Sequence, residues 1–132
     1  GLGWEPYPEG FYLAIKRMHQ AFPNLPIYIT ENGIGTDDDA WRQNVLVDHL
    51  KMMHKAIQEG INIKGYFHWS LIDNFEWAQG YMSRFGLVAV DFKTQKRTIK
   101  GSGKLYAAIA KANAIPASIL NKFPQEIYKP NI

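Results

Sequence analysis

Two carboxylates stand where carboxylates are costly. Glu31 follows Pro26 and four β-favouring residues, Ile27, Tyr28, Ile29 and Thr30, and runs straight into Asn32, Gly33 and a second glycine at 35. This reads as a short buried strand that ends at Glu31. An acid there is paired, hydrogen-bonded or held in a cleft at the strand's carboxyl end, because burying it uncompensated is expensive. Taken alone, a strand-end acid facing water is an equally good reading.

The second carboxylate, Glu76, shifts that balance. It lies in Gly65-Tyr66-Phe67-His68-Trp69-Ser70-Leu71-Ile72-Asp73-Asn74-Phe75-Glu76-Trp77, which begins as an aromatic strand and becomes a loop with two tryptophans and two acids. Neither a plain core nor a plain surface favours that mixture. Aromatic faces beside carboxylates suit a sugar, whose C–H face stacks on an indole while its hydroxyls donate to charged acceptors. Each tryptophan taken singly is more often a core residue. An unpaired acid between Phe75 and Trp77 is harder to explain by packing.

Together, Thr30-Glu31-Asn32-Gly33, the run from Trp69 to Trp77, and Arg84-Phe85-Gly86-Leu87 resemble the C-terminal motifs of glycoside hydrolase family one, the retaining β-glucosidases and β-galactosidases. The opening Gly3-Trp4-Glu5-Pro6-Tyr7-Pro8-Glu9-Gly10 and the later Arg97-Thr98-Ile99-Lys100-Gly101-Ser102 extend the resemblance over roughly residues 3–110. It implies that Glu31 is the nucleophile that forms a covalent glycosyl-enzyme. It also implies that Trp69, Glu76, Trp77 and Phe85 line the subsite for the non-reducing sugar. Glu76 would take the 4- and 6-hydroxyls, Trp77 the 3-hydroxyl, and Trp69 would be the platform. The intact Glu76-Trp77 pair implies an unphosphorylated β-glucoside or related substrate, since a carboxylate there repels phosphate. Tyr66 and Asn74 are expected to support the site, Asp73 to fix the loop, and His68 to pack beside it. No metal or cofactor is implied.

A retaining mechanism needs a second carboxyl about 5–5.5 Å from the nucleophile to protonate the leaving oxygen. The resemblance puts that acid in an Asn-Glu-Pro motif, and the chain contains none. Family members close a (β/α)8 barrel, which takes about 250 residues. The 132 residues here therefore correspond to the last two βα units of one barrel domain, with residues 116–132 as a tail. A complementary N-terminal polypeptide is the expected partner. A non-catalytic sugar-binding fragment and a purely structural barrel fragment are the alternatives.

The positioning elements follow from periodicity. Pro8 suits a first helical turn, and Phe11, Leu13, Ala14, Ile15, Met18 and Phe22 recur at mostly helical spacing up to Pro23. Asp37, Asp38 and Asp39 precede a second helix with Leu46, Leu50, Met53 and Ile57 on one face and Gly60 at its end, and they read as a solvated helix start. His49 and His54, five apart, share no face and make a poor metal pair. A strand follows to about Ser70, and strand, long helix, strand is the signature of a parallel βαβ unit. A short strand over 87–92, a turn at 93–96, and a last helix N-capped by Ser102 with Leu105, Ala108 and Ile109 inward complete the chain.

Composition sets outer limits. With 46% apolar and 20% charged residues, the chain has the makeup of a globular domain, and a net charge of +3 from scattered lysines forms no nucleic-acid stripe. There is no cysteine, as expected of a reducing, cytoplasmic compartment. No long apolar run or signal-peptide pattern indicates a membrane span or secretion. The chain begins at Gly1 without a methionine, which leaves room for a targeting segment upstream.

Overall fold

In the computed structural model, residues 3–124 are described. Helix α1 (Pro8–Ala21) leads to strand β1 (Ile27–Asn32), helix α2 (Asp39–Gln58) and strand β2 (Ile63–His68). A turn of 3-10 helix (Trp77–Gln79), strands β3 (Val88–Val90) and β4 (Arg97–Ile99), and helices α3 (Gly101–Ala112) and α4 (Ala117–Leu120) follow. β1 and β2 pair in parallel across α2, as the βαβ reading requires, and β3 and β4 form a separate antiparallel hairpin.

Helices cover one face of the parallel pair. Tyr12, Ile15, Ile29, Met52, Ala56 and Ile61 bury one cluster between α1, α2 and β1. Leu46, Val47, Leu50, Ile109 and Ile119 bury a second between α2, α3 and α4. Each valine, leucine, isoleucine or methionine among them contributes about 1.5–3 kcal/mol. The opposite face is open, with Tyr28 56% and Phe67 58% exposed. Parallel sheets are ordinarily covered on both faces, so half of this one is unsatisfied.

Periodicity misjudged burial at several helix positions. Leu13 and Met18 on α1, Phe22 at its C-cap and Ile57 on α2 are all exposed. Met18 and Phe22 instead line a groove of about 350 Å³ that runs past Leu25 to Ile27 and Ile29.

Several boundaries differ from expectation. β1 continues one residue past Glu31, β2 stops at His68, and β3 is confined to three residues. Ser102 does not cap α3. Lys100 occupies the N-cap without a side-chain bond, and Ser102, the second helical residue, donates from Oγ to Asp39 Oδ1 (2.6 Å) and from its backbone N–H to Oδ2 (2.9 Å). Asp39 thus satisfies a free N–H of a helix 63 residues away, so only part of the acidic run is a solvated start. Asp38 caps α2 by accepting from Trp41 N–H (3.0 Å). In the tail, Ile119 on α4 is buried and the Phe123 carbonyl accepts from Lys51 Nζ (2.6 Å). The rest of the tail, 125–132, lies outside the described residues.

Candidate active site

The carboxyl ends of β1 and β2 lie side by side, with Asn32 opposite His68 and Trp69 N–H donating to the Asn32 carbonyl (3.0 Å). This juxtaposition sets Glu31 and the aromatic loop at one end of the sheet. Register slips between Ile29 and Asn32, where three steps on β1 match two on β2. Bulges of this kind re-aim side chains, and here Thr30 and Glu31 are both exposed in succession. Gly33 is required immediately afterwards, because a Cβ there would lie 1.8 Å from the Trp69 carbonyl oxygen.

Glu31 is exposed, and among the described residues no hydrogen bond or ion pair holds its carboxylate. The cation or donors that a charged nucleophile needs are therefore not supplied by the described residues. Its neighbour Asn32 is held, since Oδ1 accepts from the Tyr66 hydroxyl (2.8 Å) and the Tyr66 carbonyl accepts from Tyr106 Oη (3.0 Å). Burial raises the Tyr66 pKa far above the ordinary phenol range and keeps it a donor.

Trp69 and Glu76 come together: the indole Nε1–H donates to Glu76 Oε1 at 3.0 Å. Trp77 is 84% exposed beside them, with its backbone at φ +45°. Phe85 is different. It is 4% exposed and lies under the site, its ring 6.1 Å from that of Trp4 and against Gly35. Within this chain its contacts are packing contacts, and it offers almost no face to solvent.

Asp73 fixes the loop as expected. Nearly fully buried, it accepts from the N–H groups of Gly86 (2.9 Å) and Val90 (3.4 Å) and pairs with Lys100 (3.0 Å) and Arg84 (3.5 Å). Gly86 has no room for a side chain, since a Cβ would fall 2.2 Å from the Asp73 nitrogen. Asn74 Nδ2 donates to Ser70 Oγ (3.2 Å) and the Ile72 carbonyl (3.3 Å). The peptide joining Trp69 to Ser70 is cis.

His68 packs beside the Tyr106 ring (6.3 Å between centroids), and both its ring nitrogens are buried without a hydrogen-bond partner. Burial pushes its pKa down to about 4, and the positive charges of Arg42 and Lys100 act the same way. The Phe85 carbonyl opposes the shift but meets neither nitrogen in hydrogen-bond geometry.

Sequence reasoning passed over Arg42. It is 1% exposed, donates to the carbonyls of Thr36 and Arg84, the latter at 2.6 Å, and pairs with Asp39 (2.8 Å). It ties the segment after β1 to the segment after the sugar loop. The Asp39–Arg42 spacing of three on one helix was the available signal.

A sequence profile described as Glycosyl hydrolase family 1 matches residues 1–115. The chain belongs to that family. It is 46% identical over 123 residues to "Beta-glucosidase A" of Thermotoga maritima, covering 86% of this chain and 28% of the relative. It is 41% identical over 125 residues to a "Beta-galactosidase" of Sulfolobus acidocaldarius, covering 93% and 25%. The solved "beta-glycosidase from Pyrococcus horikoshii" superposes with a TM-score of 0.89 at 43% identity, over 94% of this chain and 29% of that one. This family 1 chain thus spans between a quarter and a third of the length of these three relatives. Its fold is that of the last two βα units of a (β/α)8 barrel, and the open face of β1 and β2 is the face that in a closed barrel points inward.

Proposed function

We propose that this chain supplies the nucleophile and part of the sugar subsite of a retaining β-glycosidase acting on terminal, unphosphorylated β-D-glucosyl or related residues. The observation that carries the reading is the hydrogen-bonded Trp69–Glu76 pair at the end of the sheet that also bears Glu31. Glu31 attacks the anomeric carbon as the bond to the aglycone oxygen breaks, and a carboxylic acid on the rest of the barrel protonates that oxygen. The same acid, now ionised, takes a proton from water, whose oxygen displaces Glu31 and releases the sugar. Glu76 and Trp77 receive the sugar's hydroxyls, while Trp69 stacks on its face.

The rest of the barrel is a complementary N-terminal polypeptide of the same enzyme. The apolar groove between α1 and β1 and the uncovered face with Tyr28 and Phe67 support such a partner. A parallel strand joining the free edge of β1 would satisfy its unpaired backbone groups.

Treating the assembled enzyme with a 2-deoxy-2-fluoro glucoside that traps the intermediate tests the assignment. Label is expected on the peptide containing Glu31, and Glu31→Gln should neither label nor turn over. Label on another acid, or undiminished turnover in Glu31→Gln, would overturn it.

A further inference from the structure

Glu76 and Trp77 sit in a loop whose base is pinched shut. Glu76 N–H donates to the Gly80 carbonyl at 2.7 Å, and the flanking rings of Phe75 and Tyr81 meet edge-on, 5.5 Å apart at 69°. Tyr81 packs in turn on Phe92, centroids 4.4 Å apart. Phe92 belongs to the connection between β3 and β4, and the Arg84 guanidinium lies over its ring at 4.4 Å. Arg84 is anchored by buried Asp73 (3.5 Å) and the Val90 carbonyl (3.1 Å). A continuous row therefore runs from the loop through Phe75, Tyr81, Phe92 and Arg84 to the buried acid.

Core burial does not account for this row, because Phe75 and Tyr81 are 56% and 54% exposed. Their contacts are with rings, in the edge-on and tilted geometries that aromatic quadrupoles favour. The loop needs such support. Trp77 holds a left-handed backbone at φ +45°, which a bulky residue keeps only where its surroundings impose it.

We infer that Phe92 is a positioning residue: through Tyr81 and Phe75 the β3–β4 turn braces the loop that presents Glu76 and Trp77, and so sets how sharply the site reads sugar hydroxyls. The inference rests on the sugar-binding role proposed above for that pair. Phe92 itself touches no substrate.

The test uses the assembled enzyme with Phe92→Leu, Phe92→Tyr and Glu76→Ala. For each, kcat/KM is measured on an aryl β-glucoside and its 4-deoxy analogue, together with amide hydrogen exchange over residues 75–82. Phe92→Leu should narrow the parent-to-deoxy ratio about tenfold, the effect of one aromatic contact of ordinary strength, and speed exchange at the Glu76 amide. Phe92→Tyr should preserve both. Equal losses on the two substrates, or unchanged exchange in Phe92→Leu, would overturn the inference. If Glu76→Ala leaves the ratio intact while Phe92→Leu still speeds exchange, the sugar reading of Glu76 falls and the brace stands.

Discussion

Trp69 Nε1–H donates to Glu76 Oε1 at 3.0 Å, across seven residues of an exposed loop. One carboxylate oxygen is thereby oriented by an indole, and the other has no partner among the described residues. A carboxylate held in this way is an acceptor set in advance for hydroxyl groups.

Glu76 should therefore govern discrimination between hydroxylated and deoxygenated sugars. A site built to hydrogen-bond a hydroxyl rejects the analogue lacking it by up to about 10⁴–10⁵. In the assembled enzyme, removing the 4- or 6-hydroxyl should cost wild type heavily in kcat/KM, and Glu76→Ala should erase most of that difference. Trp69→Phe keeps the platform but drops the donor, and should lower kcat/KM about tenfold. Equal penalties for the deoxy sugar in wild type and Glu76→Ala would show that Glu76 does not read those positions.

The chain by itself should be inactive. No residue matches the acid/base, whose proton transfer is worth roughly 10²–10⁴-fold, and the sheet face with Tyr28 and Phe67 is uncovered. Aryl β-glucoside hydrolysis should be negligible for the purified 132-residue chain and appear on mixing with the complementary N-terminal polypeptide. Turnover at an ordinary enzymatic rate by a preparation shown by mass spectrometry to hold one polypeptide would contradict this.

Asp73 should be the most stability-sensitive acid of the site. Asp73→Ala strands Lys100 and Arg84 without their shared carboxylate and leaves the Gly86 N–H unpaired. Breaking a buried ion pair on one side costs about 3–5 kcal/mol, which urea denaturation of the assembled enzyme would register. Asp73→Asn, which keeps one acceptor, should lose less. A change below about 1 kcal/mol for Asp73→Ala would mean the loop is held otherwise.

His68 should make stability fall on acidification. Its pKa is pushed down to about 4 in the fold, against about 6.5 unfolded. As pH drops below about 6.5 the unfolded chain takes up the proton first, so stability is full above that point and declines until about pH 4. The decline attributable to His68 is up to about 3 kcal/mol. His49, whose pKa burial also lowers, contributes in the same direction. Replacing His68 by Phe should flatten the profile of unfolding free energy between pH 4 and 6.5, and an unchanged slope would remove His68 as its source.

Much of this molecule is written locally. The Pro26-to-Gly35 run specifies a strand and the glycine-limited approach after it, and the spacing from Asp38 to Gly60 specifies a capped helix. Strand, helix, strand then commits the two strands to parallel pairing, which brings Glu31 and Trp69 to one end of the sheet. Such features were legible because side-chain period, capping and turn chemistry act over a few residues.

What the sequence left open depends on elements far apart in the chain. Ser102 reads as a cap, yet its hydroxyl is taken by Asp39, 63 positions earlier. Arg42 drew no expectation from the sequence, yet it is buried where the carbonyls of Thr36 and Arg84 converge on it. Phe85 and Trp77 are both aromatic residues of the same motifs, but one is 4% and the other 84% exposed. Tertiary packing decides such cases, since the burial of a ring or a charge is a property of whatever lies opposite it. The open face of β1 and β2 follows from the same cause: its residue types are set by the sequence, but its partner is not among the residues described.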